Sequence, residues 1–493
     1  MDQSLLAKPI YKGFDAIVGS DYQFKSLGQV LPIAKDGWRI LVVGTTRESS
    51  KLTIKANGLH ITGVSNIGTF IDVAESQWTF TGDFLTMENF RCNVERDGSI
   101  ATQGGYTTLN NINLNLGENV REYSTSYAFY NSGNYMKVTN FHYKQLNPQT
   151  NAGSYNYGVI RNEGSYCAFS NCTFNAGNSP VGTVGLLYLG YNSMVTNSTF
   201  YMTQPYNSST SLQASNYCNI NNCQFYGSGS NGATAITAGA YNDISNNYIT
   251  NTVRGISLTN HYNTVVGNNI TCIDSGNCIY QFQDHTTITG NYFQGGGSSA
   301  VLVKSTSSTT NSVISGNSFK TGGTGINISN YQYLNINGNN FNSVTTAINA
   351  TAKIINITNN AGASEATEKI SAVFKNTSGG SLAEGDAVVL KAVAANDEVT
   401  TTTSASDTKV VGIALGAITN NSTGYICTKG TCTAKVNGTA DIAIGDFLTT
   451  YTSAGILAKA TAGQTAIAIA LAAYTADDSS GTISVRVIPP RVV

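Results

Sequence analysis

Charged residues are scarce in this sequence. Asp, Glu, Lys and Arg make up 11% of the 493 residues, against about 25% in ordinary soluble domains. The net charge is −1 and no basic patch stands out, so nucleic-acid binding by counterion release has no support. Apolar residues still reach 41% and aromatic residues 10%, which argues against a disordered chain. A neutral surface rich in Ser, Thr, Asn and Gly fits a durable extracellular particle and contact with sugars.

Long apolar runs are also missing. No stretch of 18 or more apolar residues is present to cross a bilayer as a helix. The first residues, Met1 to Lys8, lack the apolar core of a secretory signal peptide. We therefore expect a protein with no membrane partner, made in a cytoplasm and not exported by the general secretory route.

Histidine and cysteine are too few and too scattered to indicate a metal centre. There are four His, and the nine Cys form an odd number. Four residues separate Cys427 from Cys432, so the pair lacks the C-x2-C spacing and nearby His of zinc sites. Cys172 and Cys223 stand where other copies of a repeat carry Asn, which favours buried filling over disulfide formation. We expect no cofactor and no metal.

What the sequence does contain is a repeat. A six-residue pattern returns every 21 to 26 residues between residues 220 and 360. Its first residue is apolar, its third is Asn or Gly, its fourth is mostly Asn, and its sixth is Phe or Ile. Clear copies begin at Ile220, Ile244, Val265, Ile288, Ile314, Ile336 and Ile357, and further copies at Ile61, Met87, Leu109, Val138, Phe169 and Val195.

The third position of the repeat indicates the architecture. Asn and Gly share the ability to adopt φ > 0 at low cost, so each copy makes one left-handed bend. Strand, bend and strand at this period predict a right-handed parallel β-helix of about thirteen coils, about 60 Å long. The fourth-position Asn side chains would form a hydrogen-bonded ladder, and the sixth residues would stack inside. A β-sandwich with Asn-rich turns is the alternative, but it does not explain a bend residue in fixed register.

The chain before the repeat is expected to cap it. Residues 1–45 would form an N-terminal cap and first strand. Apolar residues within Tyr22–Asp36 have helical spacing, and Pro32 would shorten or kink the helix. The β-helix would then cover residues 46–360.

The chain after the repeat changes character. A linker is expected at 361–369, and residues 370–493 are rich in Ala, Thr and Val. Two Gly-Asp pairs, at Gly385 and Gly445, indicate tight turns before strands. Short strands at this spacing predict a small β-barrel or sandwich domain.

Both ends of the chain resemble known virion proteins. The order of Phe14-Asp-Ala-Ile-Val-Gly19, a helix, Asp36-Gly-Trp-Arg-Ile-Leu-Val-Val43 and Leu59-His-Ile-Thr-Gly63 resembles the opening of pectate-lyase-like β-helix proteins, including bacteriophage tailspikes. Residues 370–493 resemble the compact β-domains of capsid-decorating and head-fibre proteins. The resemblance implies a virion protein assembled in the host cytoplasm, a homotrimer, and a C-terminal domain for trimerisation or for attachment to other virion proteins. It carries no catalytic residue with it.

Carboxylates are concentrated in the coils where the spacing of the repeat is longest, between Leu109 and Phe169, and in the residues just before these coils. A polysaccharide depolymerase would need two carboxylates, one as acid and one as base or nucleophile. The candidates, mixed with Arg96, Arg121 and Arg161, are Glu95, Asp97, Glu118, Glu122 and Glu163. The alternatives are a solvated ion-pair network and simple ligand binding.

Tyrosines crowd the same coils. A tyrosine ring offers a flat face to sugar C–H groups and a hydroxyl to the ligand. The glycan-contact candidates are Tyr127, Tyr130, Tyr155, Tyr157 and Tyr188. Some tyrosines of these coils could instead belong to the interior stack or to a subunit contact.

Two functions follow from these observations. The first is a phage virion surface protein, a head fibre, decoration or spike, that contacts host-surface carbohydrate. The second is a tailspike depolymerase, a glycoside hydrolase or lyase acting on capsule or lipopolysaccharide. The scarcity of carboxylates favours the first, with no catalytic residue.

Overall fold

A computed structural model shows an all-β chain that forms a β-solenoid of about 15 turns, which confirms the parallel β-helix. It describes residues 13–49, 51–74, 77–95, 99–116, 127–145, 158–175, 185–202, 210–229, 233–305, 310–328, 332–350, 355–362, 369–391 and 397–493. Among these residues, no helix is long and apolar enough to cross a bilayer. The chain divides into two compact units. Unit 1 is Met1–Phe282, Asn291–Lys304 and Thr321–Gly323, and unit 2 is Gln283–Gly290, Ser305–Lys320 and Thr324–Val493.

The described coils of unit 1 form three parallel sheets, named A, B and C in chain order. Sheet A contains Ala16–Val18, Arg39–Val42, His60–Gly63, Lys137–Thr139, Ala168–Ser170, Met194–Thr196, Asn219–Asn221, Asp243–Ser245 and Thr264–Val266. Sheet B contains Thr45–Glu48, Phe70–Ala74, His142–Gln145, Thr173–Asn175, Thr199–Tyr201, Gln224–Tyr226 and Tyr292–Gln294. Sheet C contains Leu52–Ile54, Gln77–Phe80, Ser99–Thr102, Phe129–Asn131, Gly158–Asn162, Gly185–Leu189, Thr210–Ala214, Thr234–Ala238 and Val301–Ser305. Longer strands run through A and B at Thr86–Glu95 and Thr108–Leu116, and through B and C at Tyr248–Leu258 and Asn269–Tyr280.

The solenoid begins earlier than the repeat predicts. Ala16 pairs with Ile40, and Ile40 pairs with Ile61, both in parallel. The prediction of thirteen coils starting at Ile61 is therefore too short by two. The six-residue pattern misses the Ile40 coil because its bend residue, Gly44 with φ of 74°, follows Ile40 by four residues, whereas the bend follows the first repeat residue by two in later copies.

From the copy at Met87 onward, the coils turn from sheet A to sheet B at the third repeat residue, as predicted. The prediction is wrong for the copy at Ile61, whose third residue, Gly63, lies within the strand His60–Gly63 and has no positive φ. In the later copies of unit 1 the third residue has φ between 51° and 66° at Asn89, Asn111, Asn140, Asn171, Asn197, Asn222, Asn246 and Gly267. In unit 2 it has φ between 54° and 64° at Gly290, Gly316, Gly338 and Asn359. Within each unit the bends stack, since the Asn246 amide donates to the Val266 carbonyl and the Gly316 amide donates to the Asn337 carbonyl.

The solenoid interior contains the two predicted ladders. In unit 2, Asn317 donates to Asn339 at 3.0 Å and Asn339 donates to Asn360 at 2.9 Å, both from Nδ2 to Oδ1. In unit 1, the sixth-position rings of Phe174, Phe200 and Phe225 stack with centroids 4.7 Å apart. All nine cysteines are buried with free thiols, including Cys172 and Cys223 in the Asn column.

The N-terminal helix is much shorter than predicted. An α-helical turn at Leu27–Val30 passes directly into a 3-10 turn at Leu31–Ile33, because Pro32 lies in the first turn of the latter. The buried Glu48 carboxylate accepts the amide hydrogens of Leu27 and Gly28 at 2.7 and 2.8 Å. This carboxylate supplies the helix cap that no local side chain provides.

Unit 2 contains further coils and an antiparallel region. The coil strands are Thr287–Thr289, Thr310–Ser315, Ser318–Ile328, Gln332–Asn337, Asn340–Ala350 and Ile355–Thr358, of which Ser318–Ile328 lies partly in unit 1. The remaining strands are Lys369–Asn376, Ala387–Leu390, Glu398–Thr400, Val410–Ala414, Thr423–Val436, Phe447–Thr450, Leu457–Lys459, Thr465–Ala470 and Gly481–Val492. Both Gly-Asp turns are present, and Asp386 and Asp446 each accept an amide hydrogen three residues earlier at 2.7 Å. Both also pair with a lysine, Lys435 and Lys459 respectively.

Candidate functional site

Sheet C of unit 1 places two of the candidate tyrosines and Arg161 in adjacent coils. Tyr130 pairs with Arg161, and Arg161 pairs with Tyr188. Their chain neighbours Phe129, Ile160 and Leu187 are at most 4% exposed and face the core. Because side chains alternate along a strand, Tyr130, Arg161 and Tyr188 face outward. Tyr130 and Tyr188 thus lie on the outer face of the coil, and their contact with a glycan stays a prediction.

Arg161 is the centre of this cluster. Its Nε and Nη2 both lie 2.6 Å from Glu163 Oε1, while Nη1 donates to the hydroxyl of Tyr127. Its guanidinium lies 5.1 Å from the ring centroid of Tyr127 and 5.4 Å from that of Tyr188. The hydroxyl of Tyr130 donates to Glu163 Oε2 at 2.7 Å. These contacts fix a partly exposed cation between two aromatic rings.

The same contacts decide which protonation state Glu163 keeps. The hydrogen bond from Tyr130 lowers the pKa of Glu163, and the ion pair with Arg161 acts in the same direction. The hydrogen bond to Glu163 conversely raises the pKa of Tyr130. Glu163 is therefore a carboxylate at neutral pH, suited to act as a base or nucleophile and not as a general acid.

The side chains of the other predicted catalytic residues lie outside the described part of the chain. Glu95 ends the strand Thr86–Glu95, and its side chain is not described. Outside the described residues lie Asp97, Glu118, Glu122, Tyr155 and Tyr157, together with Arg96 and Arg121. The pair of carboxylates required for hydrolysis stays a prediction. Among the described residues, no group of three or more His, Cys, Asp or Glu could hold a metal ion.

A second cationic and aromatic group lies further along sheet C. The pairing continues from Tyr188 through Gln213, Thr237, Ser257 and Tyr280 to Lys304. The Arg254 guanidinium lies 4.3 Å and the Lys304 ammonium 5.9 Å from the Tyr280 centroid. We call the outward column from Tyr130 to Lys304 the sheet C face. Its seven coil steps span about 34 Å at the usual strand spacing.

The structure also contains a second left-handed corner that the sequence prediction missed. It lies five residues before the predicted bend, and in unit 1 it is mostly aromatic, with φ between 58° and 63°. These residues, 45% to 57% exposed, are Phe84, Tyr106, Tyr135, Tyr166, Tyr217, Tyr241 and Tyr262. The available signal was a Tyr at constant distance from the Asn or Gly bend, as in Tyr217 with Asn222 and Tyr241 with Asn246.

Comparison with known proteins gives matches to the solenoid. A family model described as periplasmic copper-binding protein (NosD) matches residues 118–309, less than half of the chain. No curated protein matches this chain. The A-module of mannuronan C-5 epimerase AlgE6 from Azotobacter vinelandii is 11% identical over 68% of this chain and 93% of its own, with a TM-score of 0.41.

Two further solved structures have similar values. A mannuronic acid specific polysaccharide family 6 lyase from human gut microbiota is 12% identical, covers 64% of this chain and 83% of its own, and has a TM-score of 0.42. The catalytic domain of a GH87 α-1,3-glucanase is 13% identical over 72% of this chain and 67% of its own, with a TM-score of 0.35. The similarity to these structures is one of fold.

Proposed function

We propose that this protein binds an extended polysaccharide along the sheet C face. The observation that carries the proposal is Arg161, held between the rings of Tyr127 and Tyr188 by its ion pair with Glu163. Aromatic rings stack on sugar C–H groups, and a guanidinium binds carboxylate or hydroxyl oxygens. Because these side chains are already fixed, little rotamer entropy is lost when a ligand binds.

The second cationic group supports a chain-like and acidic ligand. Arg254 and Lys304 flank Tyr280, several coils from Arg161 in the pairing of sheet C. Between Tyr188 and Tyr280 the described column holds Gln213, Thr237 and Ser257, of which Ser257 is only 9% exposed. A polysaccharide that carries carboxylates would contact both cationic groups at once, and one sugar could not.

An array of neutral and acidic oligosaccharides tests this proposal. We expect the full chain to retain acidic glycans, with affinity rising from disaccharide to hexasaccharide. The Arg254→Gln variant should lose part of the gain from chain length while keeping disaccharide binding. Retention of no glycan, or retention independent of length, would contradict an extended site on this face.

Cleavage of the bound polysaccharide is the second candidate function. Glu163 is an ionised carboxylate in the cluster, and Glu122 precedes Tyr127 of the same cluster by five residues. These two residues could supply the base and the acid. Incubation with a retained glycan should then release reducing ends or unsaturated sugars, and both Glu163→Gln and Glu122→Gln should abolish the release. Binding without release leaves recognition as the function.

The biological setting that we propose is the surface of a bacteriophage virion. It is supported by the resemblance of both chain ends to virion proteins and by the charge-poor surface. In this setting the protein is a head fibre, decoration or spike, a homotrimer whose residues 370–493 contact other virion proteins. Antibody labelling of intact particles tests the location, and light scattering of the purified chain tests the trimer.

A further inference from the structure

An exposed column of aromatic rings runs along the second left-handed corner of unit 1. Consecutive rings from Phe84 to Tyr166 stack with centroids 4.9 to 5.3 Å apart. The rings of Tyr217, Tyr241 and Tyr262 stack at 4.7 and 4.8 Å. All these ring planes lie within 12° of parallel. We call this column the aromatic ladder. Each ring face inside a run is covered by the next ring.

The aromatic ladder is interrupted in one coil. The Tyr166 amide donates to the Tyr191 carbonyl, and the Asn192 amide donates to the Asn216 carbonyl. This register puts Asn192, with φ of 52°, in the coil between Tyr166 and Tyr217. The ring that would stack between them is replaced by a short side chain. One face of Tyr166 and one face of Tyr217 therefore lack a neighbouring ladder ring.

The gap has the height of one flat ring. Two coil steps separate Tyr166 from Tyr217, about 9.6 Å at the usual spacing of strands. A ring midway would lie about 4.8 Å from each tyrosine, within the usual range for stacked rings. This is also the spacing that the ladder itself shows, with 4.7 Å between Tyr217 and Tyr241. The gap thus accepts one ring without displacing the backbone.

We infer that the gap at Asn192 binds a single uncharged sugar ring, sandwiched between Tyr166 and Tyr217. The ring faces would contact sugar C–H groups. The exposed Asn192 amide offers one donor group and one acceptor to the sugar hydroxyls. Tyr191, half exposed, directly precedes Asn192. The choice of a sugar rests on the proposed glycan binding, but the site is separate from the sheet C face.

The chemistry around the gap favours a neutral ligand. The three positions at the gap, Tyr166, Asn192 and Tyr217, and the residues just before them, Ser165, Tyr191 and Asn216, carry no charge. A bulky aromatic residue at φ > 0 is uncommon and strained, and stacking between the rings offsets that strain. Asn adopts this conformation readily, so Asn192 opens the column at no backbone cost.

Filling the gap provides the test. Saturation-transfer NMR of the full chain with methyl glycosides of glucose, galactose, mannose and N-acetylglucosamine should show saturation of ring C–H protons for at least one sugar. Asn192→Tyr should reduce that signal at least fivefold with an unchanged or higher Tm, because seven other described coils of unit 1 hold an aromatic residue at this φ. Tyr217→Ala should reduce it similarly by removing one ring face.

Two further variants separate this site from the sheet C face. Tyr241→Asn should open a second gap between Tyr217 and Tyr262 and about double the saturation. Arg161→Gln should leave the saturation unchanged even where it abolishes polysaccharide retention. The inference is overturned if no methyl glycoside is saturated, or if Asn192→Tyr keeps the full signal. It is also overturned if Asn192→Tyr dissociates an oligomer without reducing the sugar signal, because an aromatic ring of a second copy would then fill the gap.

Discussion

Asn247 and Asn268 occupy successive coils, and the Nδ2 of Asn247 donates to the Oδ1 of Asn268 at 3.0 Å. The backbone amide of Asn247 donates to the same oxygen at 2.9 Å, and both residues are 1% exposed. The Nδ2 of Asn268 in turn donates to the Ile244 carbonyl. One interior side chain thus satisfies buried backbone groups that a bend would otherwise leave unpaired.

Asn268→Ala should destabilise unit 1 by about 2 to 4 kcal/mol, because it leaves a buried amide and a buried carbonyl without partners. Urea denaturation followed by circular dichroism measures this loss. The matched control is Asn269→Ala, since Asn269 is the next residue and is exposed. Equal effects of the two substitutions would show that the interior ladder has no special role.

Substitutions at Asn246 test the left-handed bend. Its φ is 56°, so Asn246→Ala should cost about 1 to 2 kcal/mol of the free energy of unfolding. Asn246→Gly should cost much less, because glycine adopts this conformation freely. Thermal melting of both variants decides the point. An alanine variant as stable as the glycine variant would contradict the bend.

The thiols of Cys172, Cys218 and Cys223 should be inert in the native protein. Burial raises the pKa of Cys172 and Cys218 to about 11 and that of Cys223 to about 12, so little thiolate forms at pH 8. We expect these three thiols not to react with a disulfide reagent in buffer, and nine reactive thiols in denaturant, since all nine are free. Fewer than nine would indicate a disulfide, with Cys272 and Cys278 the first pair to examine, because their Sγ atoms lie 2.8 Å apart.

The N-terminal helical turn should weaken as the pH rises. Burial raises the pKa of Glu48 above its ordinary value of 4.5. A carboxyl with a raised folded-state pKa contributes most stability below its unfolded pKa, and that contribution is lost as pH rises through the folded pKa. Hydrogen exchange of the Leu27 and Gly28 amides, corrected for intrinsic rates, should show easier opening at pH 7 than at pH 4. Glu48→Gln should remove most of that difference, and an unchanged difference would exclude Glu48 as its source.

The repeat predicted the solenoid because its signal lies in single residues at fixed register. Asn222 and Gly338 are identifiable from sequence since only a few residue types adopt φ > 0 cheaply. The aromatic corner was missed because tyrosine, as at Tyr217 and Tyr241, is not a residue type that usually adopts φ > 0. Their stacking depends on neighbours in other coils, which sequence spacing alone does not reveal.

The site was predictable only in part. Tyr130, Arg161 and Tyr188 could be singled out by composition, but their adjacency depends on the register of coils of unequal length. The length of each coil's outer segment sets which residues meet, and the six-residue pattern does not report it.

The shorter N-terminal helix has a local cause, since Pro32 limits the α-helix to one turn.

Glycan binding on the sheet C face is tested most directly by calorimetry. The affinity for the glycan that the array retains best is measured for the full chain and for its Arg161→Gln variant. The matched control is Arg91→Gln. Like Arg161, Arg91 holds its guanidinium over an aromatic ring, 4.9 Å from the centroid of Phe70, but it lies in sheet B. We expect a dissociation constant at least tenfold higher than that of wild type for Arg161→Gln, and an unchanged one for Arg91→Gln. Equal affinity of wild type and Arg161→Gln would contradict glycan binding on the sheet C face.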